Sequence, residues 1–304
     1  MMFGLRAAGA AVLELSTDDH PELYDTEGRP YDRGTTGPVW IRPEVLDPWV
    51  ARFAPNLLIC NAGGLGLRQV QADRLRRRVF LLGIALSDPD VFEPTTRHIA
   101  CQFNSFLTNH ADCVPLYEAL GAHSATIAIG TSAVFFHPVP ARPEMSCDVL
   151  MLGGAHPDRV EPVRALLANF DTHVYGERWA EHGITSRGLI FGDDVLAALN
   201  SARLSVIFNR TTGGHAVVKT GLFDFSAAGA LVVTNHSPAT ARCFRFGEEI
   251  LGFSSTAELL EVVRHTLRHP KEAERVRRNG QRRTLREHTW CAIWPRVLAG
   301  LAPR

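Results

Sequence analysis

The sequence predicts an α/β chain of two Rossmann-like domains facing across a cleft. Short apolar runs alternate with segments of helical period, which is the α/β pattern. Two of these runs lead into paired glycines and then a helix, at Gly63-Gly64 and at Gly153-Gly154. The segment 137–146 carries Pro138, Pro140 and Pro143, so it fits neither a helix interior nor a central strand. It marks a boundary between an N-terminal domain, 1–140, and a C-terminal domain, 141–304. A length of 304 residues agrees with two domains at roughly 150 residues each. In open α/β sheets ligands sit at the carboxyl ends of the strands, so the cleft between two such domains is the expected site.

In the first half, strands are predicted at Ala11–Leu15, Asn56–Asn61, Arg78–Leu86, Ser105–Asn109 and Ala125–Ile129. Helices are predicted at Arg42–Phe53, Gln69–Arg77 and Val114–Leu120, and Ser16–Val39, rich in Asp, Gly and Pro, reads as a loop. Arg78–Leu86 ends in a continuous apolar run, as expected of a parallel strand buried on both faces. The second half predicts strands at Cys147–Leu152, Thr172–Tyr175, Leu204–Phe208, Ala230–Thr234 and Ile250–Phe253. Its helices are expected at Arg159–Asn169, Asp194–Arg203, Lys219–Ala228, Thr256–Arg268, Pro270–Glu287 and Trp290–Leu301. Gly229 is a natural left-handed stop for the Lys219–Ala228 helix.

Composition narrows the function classes. Basic and acidic residues number 32 each, so the main electrostatic reason to expect a nucleic-acid partner is absent. All but two of the basic residues are arginine, the lysines being Lys219 and Lys271, which reads as GC-rich coding. The longest apolar run, Val79–Leu86, is far short of the ~20 residues of a spanning helix. The start, MMFGLRAAGAAVLEL, lacks the long apolar stretch of a signal peptide, so a cytoplasmic protein is expected. The six cysteines form no CxxC and read as buried free thiols rather than a metal cluster. The Asn-X-Ser/Thr matches at Asn209 and Asn235 then read as chance.

The motifs that could carry chemistry each admit a plain reading as well. Gly63-Gly64 follows a strand without completing a dinucleotide fingerprint, since Gln69 stands where Gly or Ala is needed; it is a ligand-approaching turn or an ordinary one. Asp88-Pro89-Asp90 could hold a cation between carboxylates, or serve as an Asp-Pro turn; no metal is assigned. His110 follows the strand FLTN and is either a sheet-end ligand contact or a solvated imidazole. After Gly153-Gly154, a helix start with Arg159 suits an anionic phosphate, or is an Asp-capped helix with a surface arginine. Arg210, Gly213, Gly214, His215 and Lys219 form the densest polar cluster, either a preorganised positive field for a leaving diphosphate or a decorated loop. Asp224 lies among apolar helix neighbours and needs a partner, which ribose hydroxyls or a salt bridge would supply.

From Leu199 to Leu301 the chain resembles the group 1 glycosyltransferases, in their spore-maturation-protein-like branch. The residues that carry this are LNSARLSVIFNR, VKTGLFDFSAAGALVVTN, FRFGEEILGFSSTAELLEVVRHTLRHP and NGQRRTLREHTW. CDVLMLGG and Ile129-Gly130 … Phe136-His137-Pro138 match more weakly, and the start of the chain does not match. The resemblance implies the GT-B architecture and a nucleotide-diphosphate-sugar donor held by the second domain, as co-substrate with no further cofactor. It implies that Arg210, His215, Lys219 and Arg159 serve the diphosphate beside Gly153, Gly154, Gly213 and Gly214. It implies that Asp224 serves the ribose from a helix start and that the terminal helix returns to the first domain; Gly63, Gly64, Asp88 and His110, at strand ends of the first domain, are expected to face acceptor or donor sugar. Two positions depart from the family: its arginine falls on Gly221, and its glutamate is shortened to Asp224. The implied activity is a metal-independent, retaining transfer to an acceptor; the arginine-rich, lysine-poor composition associates the chain with genomes in which natural-product glycosylation is common. The alternatives are an inactive nucleotide-binding homologue, a nucleotide-sugar epimerase on the same fold, or a metal-dependent transferase using Asp88 and Asp90. The expected partners are the donor and an acceptor molecule, and a homodimer is compatible with such a chain.

Overall fold

The computed structural model describes residues 1–16, 19–25, 39–61, 65–127, 129–211 and 214–301. The chain forms two compact units, one of Gly9–Ala128 with Val297–Arg304, the other of Ile129–Arg296 with Phe3–Ala8.

The opening segment is helix α1 (Met2–Ala7), and it belongs to the C-terminal unit. The strand expected at Ala11–Leu15 does not form: residues 10–16 carry no regular structure. An apolar run makes a strand only where a neighbour pairs with it, and among the described residues no strand pairs with this one. Leu15 instead packs against the N-terminal core.

The N-terminal unit continues with β1 (Tyr24–Asp25), β2 (Val39–Ile41), α2 (Pro43–Phe53), β3 (Leu57–Asn61), β4 (Leu65–Gly66), α3 (Gln69–Leu75) and β5 (Phe80–Ala85). It is completed by β6 (Ser105–Thr108), α4 (Val114–Ala119) and β7 (Ser124–Thr126). β1, β2 and β4 make a small sheet inside and beyond what had read as one loop, because their runs are too short to show a period. The main sheet, β3-β5-β6-β7, is parallel throughout and follows chain order. From Leu81 onward β5 is fully buried, as its unbroken apolar run requires. Gly83 interrupts that run for a reason: a Cβ there would lie 2.5 Å from the Phe106 ring.

The C-terminal unit holds β8 (Cys147–Leu152), α5 (Pro157–Asn169), β9 (Thr172–Tyr175), α6 (Asp193–Ser201), β10 (Ala202–Ile207) and α7 (Thr220–Ala227). It ends with β11 (Val232–Asn235), α8 (Pro238–Cys243), β12 (Leu251–Phe253), α9 (Thr256–Arg268), α10 (Pro270–Glu287) and α11 (Trp290–Leu301). Its five strands are parallel in the order β12-β11-β10-β8-β9. The chain steps from β8 out to β9, then returns to the other side of β8 to lay down β10. That reversal is the topological switch point of a doubly wound sheet, where ligands bind. α8 was not foreseen, although Ser237 followed by Pro238 is a helix-start signature, and the Ser237 hydroxyl does accept from the Thr240 N–H.

The unit boundary lies at Ile129, ahead of the proline segment. Thr131 explains this: its N–H donates to the His288 carbonyl and its own carbonyl accepts from Trp290. Three cysteines are buried as expected, but Cys101 and Cys291 are exposed.

Gly280 lets α10 pack closely. A Cβ there would lie 2.2 Å from the Glu249 carbonyl oxygen and 3.2 Å from the Ser226 hydroxyl. Alanine favours a helix interior over glycine by about 1 kcal/mol, yet Gly280→Ala is expected to destabilise by about 1–3 kcal/mol because rigid backbone blocks the methyl. A denaturation midpoint above that of the parent would show that propensity wins.

Candidate donor site and its relatives

β8 and β10 are paired neighbours, with Val206 opposite Met151, so their carboxyl ends emerge side by side. The β8 end turns at Gly153, whose φ of 132° suits glycine. Gly176 crosses it so closely that a Cβ would lie 2.2 Å from the Gly153 carbonyl oxygen. The Trp179 indole donates to that carbonyl at 2.9 Å, and Arg159 Nη1 donates to the Gly154 carbonyl at 2.9 Å.

Arg159 is therefore neither a surface residue nor an open phosphate contact. It is 6% exposed, and its guanidinium lies 5.9 Å from the centre of the Phe208 ring. Its Nε is buried without a hydrogen-bond partner. α5 begins without a side-chain cap: His156 holds the cap position, Pro157 follows, and Asp158 lies inside the first turn rather than capping it. Burial first, then the positive charges of Arg159, Lys219 and Arg178, hold the His156 imidazole below its ordinary pKa, against the opposing pull of Asp158. Cations from α5, from the turn after β9 and from the cap of α7 thus all reach this imidazole.

The β10 end is organised by Asn209, which is fully buried. Its N–H donates to Asn235 Oδ1, its amide donates to the Thr240 hydroxyl, and its Oδ1 accepts from the Lys219 N–H. Its carbonyl accepts from Val217, so both ends of the intervening loop are tied to one residue. Within that loop Arg210 bridges Ala216, and its Nη1 donates to the Gly214 carbonyl at 3.2 Å. His215 is exposed, and its N–H donates to the Thr211 hydroxyl. Lys219 is partly buried at the cap position of α7. Gly213, together with Gly63 and Gly64 of the other unit, lies outside the described residues.

Asp224 sits in the second turn of α7, not at its start. Its carboxylate accepts from the Thr131 hydroxyl at 2.6 Å. Burial pushes its pKa up to about 6, with the Thr131 hydrogen bond opposing. Gly221 is a close-packing position: a Cβ there would lie 2.8 Å from Ile207 Cδ1. Arg277, which reads from the sequence as a surface residue, is half-buried and donates to the Gly229 carbonyl at 2.7 Å.

In the N-terminal unit, Asp88 follows β5 and His110 follows β6, so both stand at the carboxyl end of the parallel sheet. Asp88 does not face a ligand: it is fully buried and accepts from the Thr108 and Tyr117 hydroxyls. The His110 side chain is 15% exposed. The residues that sequence reasoning missed are Asn209, Trp179, His156, Arg178 and Thr131. Asn209 directly after an apolar strand was the available signal.

Residues 158–299 match the family profile described as glycosyl transferase-like. No curated protein sequence matches the chain. Among solved structures, the chain is similar to sucrose-phosphate synthase from Thermosynechococcus elongatus, at 15% identity and a TM-score of 0.60, over 84% of this chain and 77% of that one. It is similar to Anabaena HepE in complex with UDP and glucose, at 11% identity and 0.59, over 86% and 83%. It is similar to a glycosyltransferase from Rickettsia africae, at 9% identity and 0.57, over 84% and 78%. The fold is that of the GT-B glycosyltransferases. No helix among the described residues is long and apolar enough to cross a membrane.

The Asp224 shift carries a sign. Its ordinary value is 3.8 and its folded value about 6, so the folded state holds the extra proton between them. This group's contribution is most favourable below about pH 4 and is lost as pH rises through about 6. Asp224→Asn is therefore expected to be more stable than the parent above pH 6, by about 1–3 kcal/mol, with the difference fading below about pH 4. Melting temperatures of the two proteins across that range check it; parallel curves would refute it.

Proposed function

We propose that the protein is a glycosyltransferase that moves a sugar from a nucleotide-diphosphate donor to an acceptor, with retention of configuration and without a metal. The single observation that carries the reading is the arrangement at the switch point of the five-stranded sheet. There the glycine turn after β8 and the Asn209-tied loop after β10 leave adjacent strands, the α5 start has no side-chain cap, and the charges of Arg159, Lys219 and Arg178 all reach the His156 imidazole. Cations and free N–H groups fixed in advance are what a departing diphosphate requires. The glycosyl transferase-like match over residues 158–299 supports the same reading. The Anabaena structure holds UDP and glucose, which makes uridine diphosphate the first nucleotide to test.

Lys219 and Arg210 would neutralise the diphosphate as the bond from the anomeric carbon to its phosphate oxygen breaks. His156 and the N–H groups at the α5 start would donate hydrogen bonds to the same group, and Asp224 would hold the ribose. The acceptor hydroxyl would attack on the face the phosphate leaves, passing its proton to the departing oxygen. In the N-terminal unit, His110 is the side chain assigned to the sugar or acceptor. A cytoplasmic setting and a small natural-product acceptor complete the reading. A second reading, nucleotide binding without turnover, is favoured by Gly221 and by the Asp224 carboxylate already engaged by Thr131.

Thermal stability against a panel of nucleoside diphosphates, with and without magnesium, tests the donor site. A ligand at 100 times its Kd adds about 2.7 kcal/mol, so the matching nucleotide should raise Tm by several degrees, equally with and without magnesium. No shift with any base refutes the reading; a shift without turnover selects the second one. Lys219→Ala should lower turnover by about 100-fold or more, and Arg275→Ala, at an exposed position of α10, should leave it unchanged. Equal losses in the two variants would remove Lys219 from the site.

A further inference from the structure

A buried polar cluster at the carboxyl end of the N-terminal unit's sheet has no part in the donor chemistry. Asp88 Oδ2 accepts from the Thr108 hydroxyl at 2.5 Å and from the Tyr117 hydroxyl at 2.8 Å. The Asp88 N–H donates to Asn109 Oδ1, and the Thr96 hydroxyl lies 2.5 Å from that of Tyr117. Asp88 Oδ1 is buried without a hydrogen-bond partner. Burial raises the pKa of this carboxyl group, opposed by the two hydroxyls, by the nearby His110 charge and by Thr96. An arrangement this costly weighs against a purely structural role, since apolar side chains would fill the same space without an orphaned oxygen.

The Thr108 hydroxyl shows what the carboxylate achieves. A hydroxyl has one proton to donate and two lone pairs. Donation to Asp88 fixes that proton and leaves the oxygen as acceptor for the His110 N–H, at 3.1 Å. The same hydroxyl also lies 3.4 Å from the His110 carbonyl, an alternative acceptor for its proton. Asp88 decides between these roles. With the carboxylate present, the His110 backbone is anchored by its N–H. Without it, the hydroxyl proton is no longer fixed, the Thr108 oxygen is no longer held toward the His110 N–H, and the anchor weakens.

We propose that Asp88 is a positioning residue that sets the His110 turn through the Thr108 hydroxyl. Its importance for transfer rests on the reading of His110 as a sugar- or acceptor-facing group; the anchoring itself does not.

Site-resolved hydrogen exchange of the His110 amide, taken relative to Leu107 on the same strand, tests the anchor in the full-length protein. Asp88→Ala should speed it by about 10-fold, whereas Tyr117→Phe, which removes the other hydrogen bond to the same oxygen, should leave the ratio within about 2-fold. Asp88→Asn keeps an oxygen acceptor and should preserve protection. Equal acceleration in Asp88→Ala and Tyr117→Phe, or none in Asp88→Ala, overturns the proposal. Should Asp88→Ala fail to fold, Thr108 carries the test with UDP-glucose as the donor probe. Thr108→Val should lower kcat by about 10-fold with little change in KM, and Thr108→Ser should restore it. A Thr108→Val enzyme with unchanged kcat overturns the proposal. Absence of turnover with the parent protein counts against the transferase reading alone, and the exchange ratios still decide this one.

Discussion

The turn after β8 can close only because residue 176 has no side chain. The Gly153 carbonyl lies where a Gly176 Cβ would sit, and the Trp179 indole then fixes that carbonyl from the other side. With Gly153 held, the neighbouring Gly154 carbonyl is taken by Arg159, whose guanidinium is in turn pressed against Phe208 at the end of β10. One close backbone approach therefore sets the β8 loop, the start of α5 and the first residue past β10. The cost of burying Arg159 is only partly met inside the protein, since its Nε has no partner. An anion at the α5 start would offset part of that cost through its field, which is a physical reason for a cation to be kept so deep.

The features that carry the family resemblance serve packing more than chemistry. His288 stacks against Phe223 and Phe244, with ring centres 4.7 and 5.3 Å away. Thr289 bridges Thr131, and Trp290 packs so tightly that its carbonyl oxygen would lie 2.3 Å from a Cβ on Gly4. Glu249 is buried and accepts from the Arg245 N–H, closing the turn before β12. Such residues identify the fold because the sheet and its covering helices cannot close without them. They leave open what the fold does, since chemistry resides in a site grafted onto it.

The same division explains what could be read from the sequence. β5, β8 and β10 were legible because a buried parallel strand is dominated by apolar residues, and α9 and α10 because their periodicity is long. Gly153, Arg210, Lys219 and Asp224 were legible as types of residue at a strand end or a helix. Their partners were not. That Asp88 turns inward while His110 stays partly exposed follows from side-chain directions at two strand ends, which no local pattern encodes. Asn209 resembled a chance sequon, and its role appears only when Asn235, Thr240 and Lys219 converge on it. The strand expected at Ala11–Leu15 failed because a strand is a property of a pair.

Asp224 shows how the two kinds of residue are coupled. The carboxylate is held away from water, which raises its pKa, and the hydrogen bond from the Thr131 hydroxyl draws it back. Thr131 owes its own position to His288 and Trp290, through its N–H and its carbonyl. A residue of the family's packing signature thus sets the partner of a candidate ligand group one step away. The shorter side chain at 224 fits this frame: Thr131 reaches it at 2.6 Å. The glycine at 221 fits as well, because Ile207 of β10 fills the space beside it. The two departures from the family pattern are therefore not isolated losses. Each is matched by a neighbour in the C-terminal unit, Thr131 for the shorter carboxylate and Ile207 for the missing side chain.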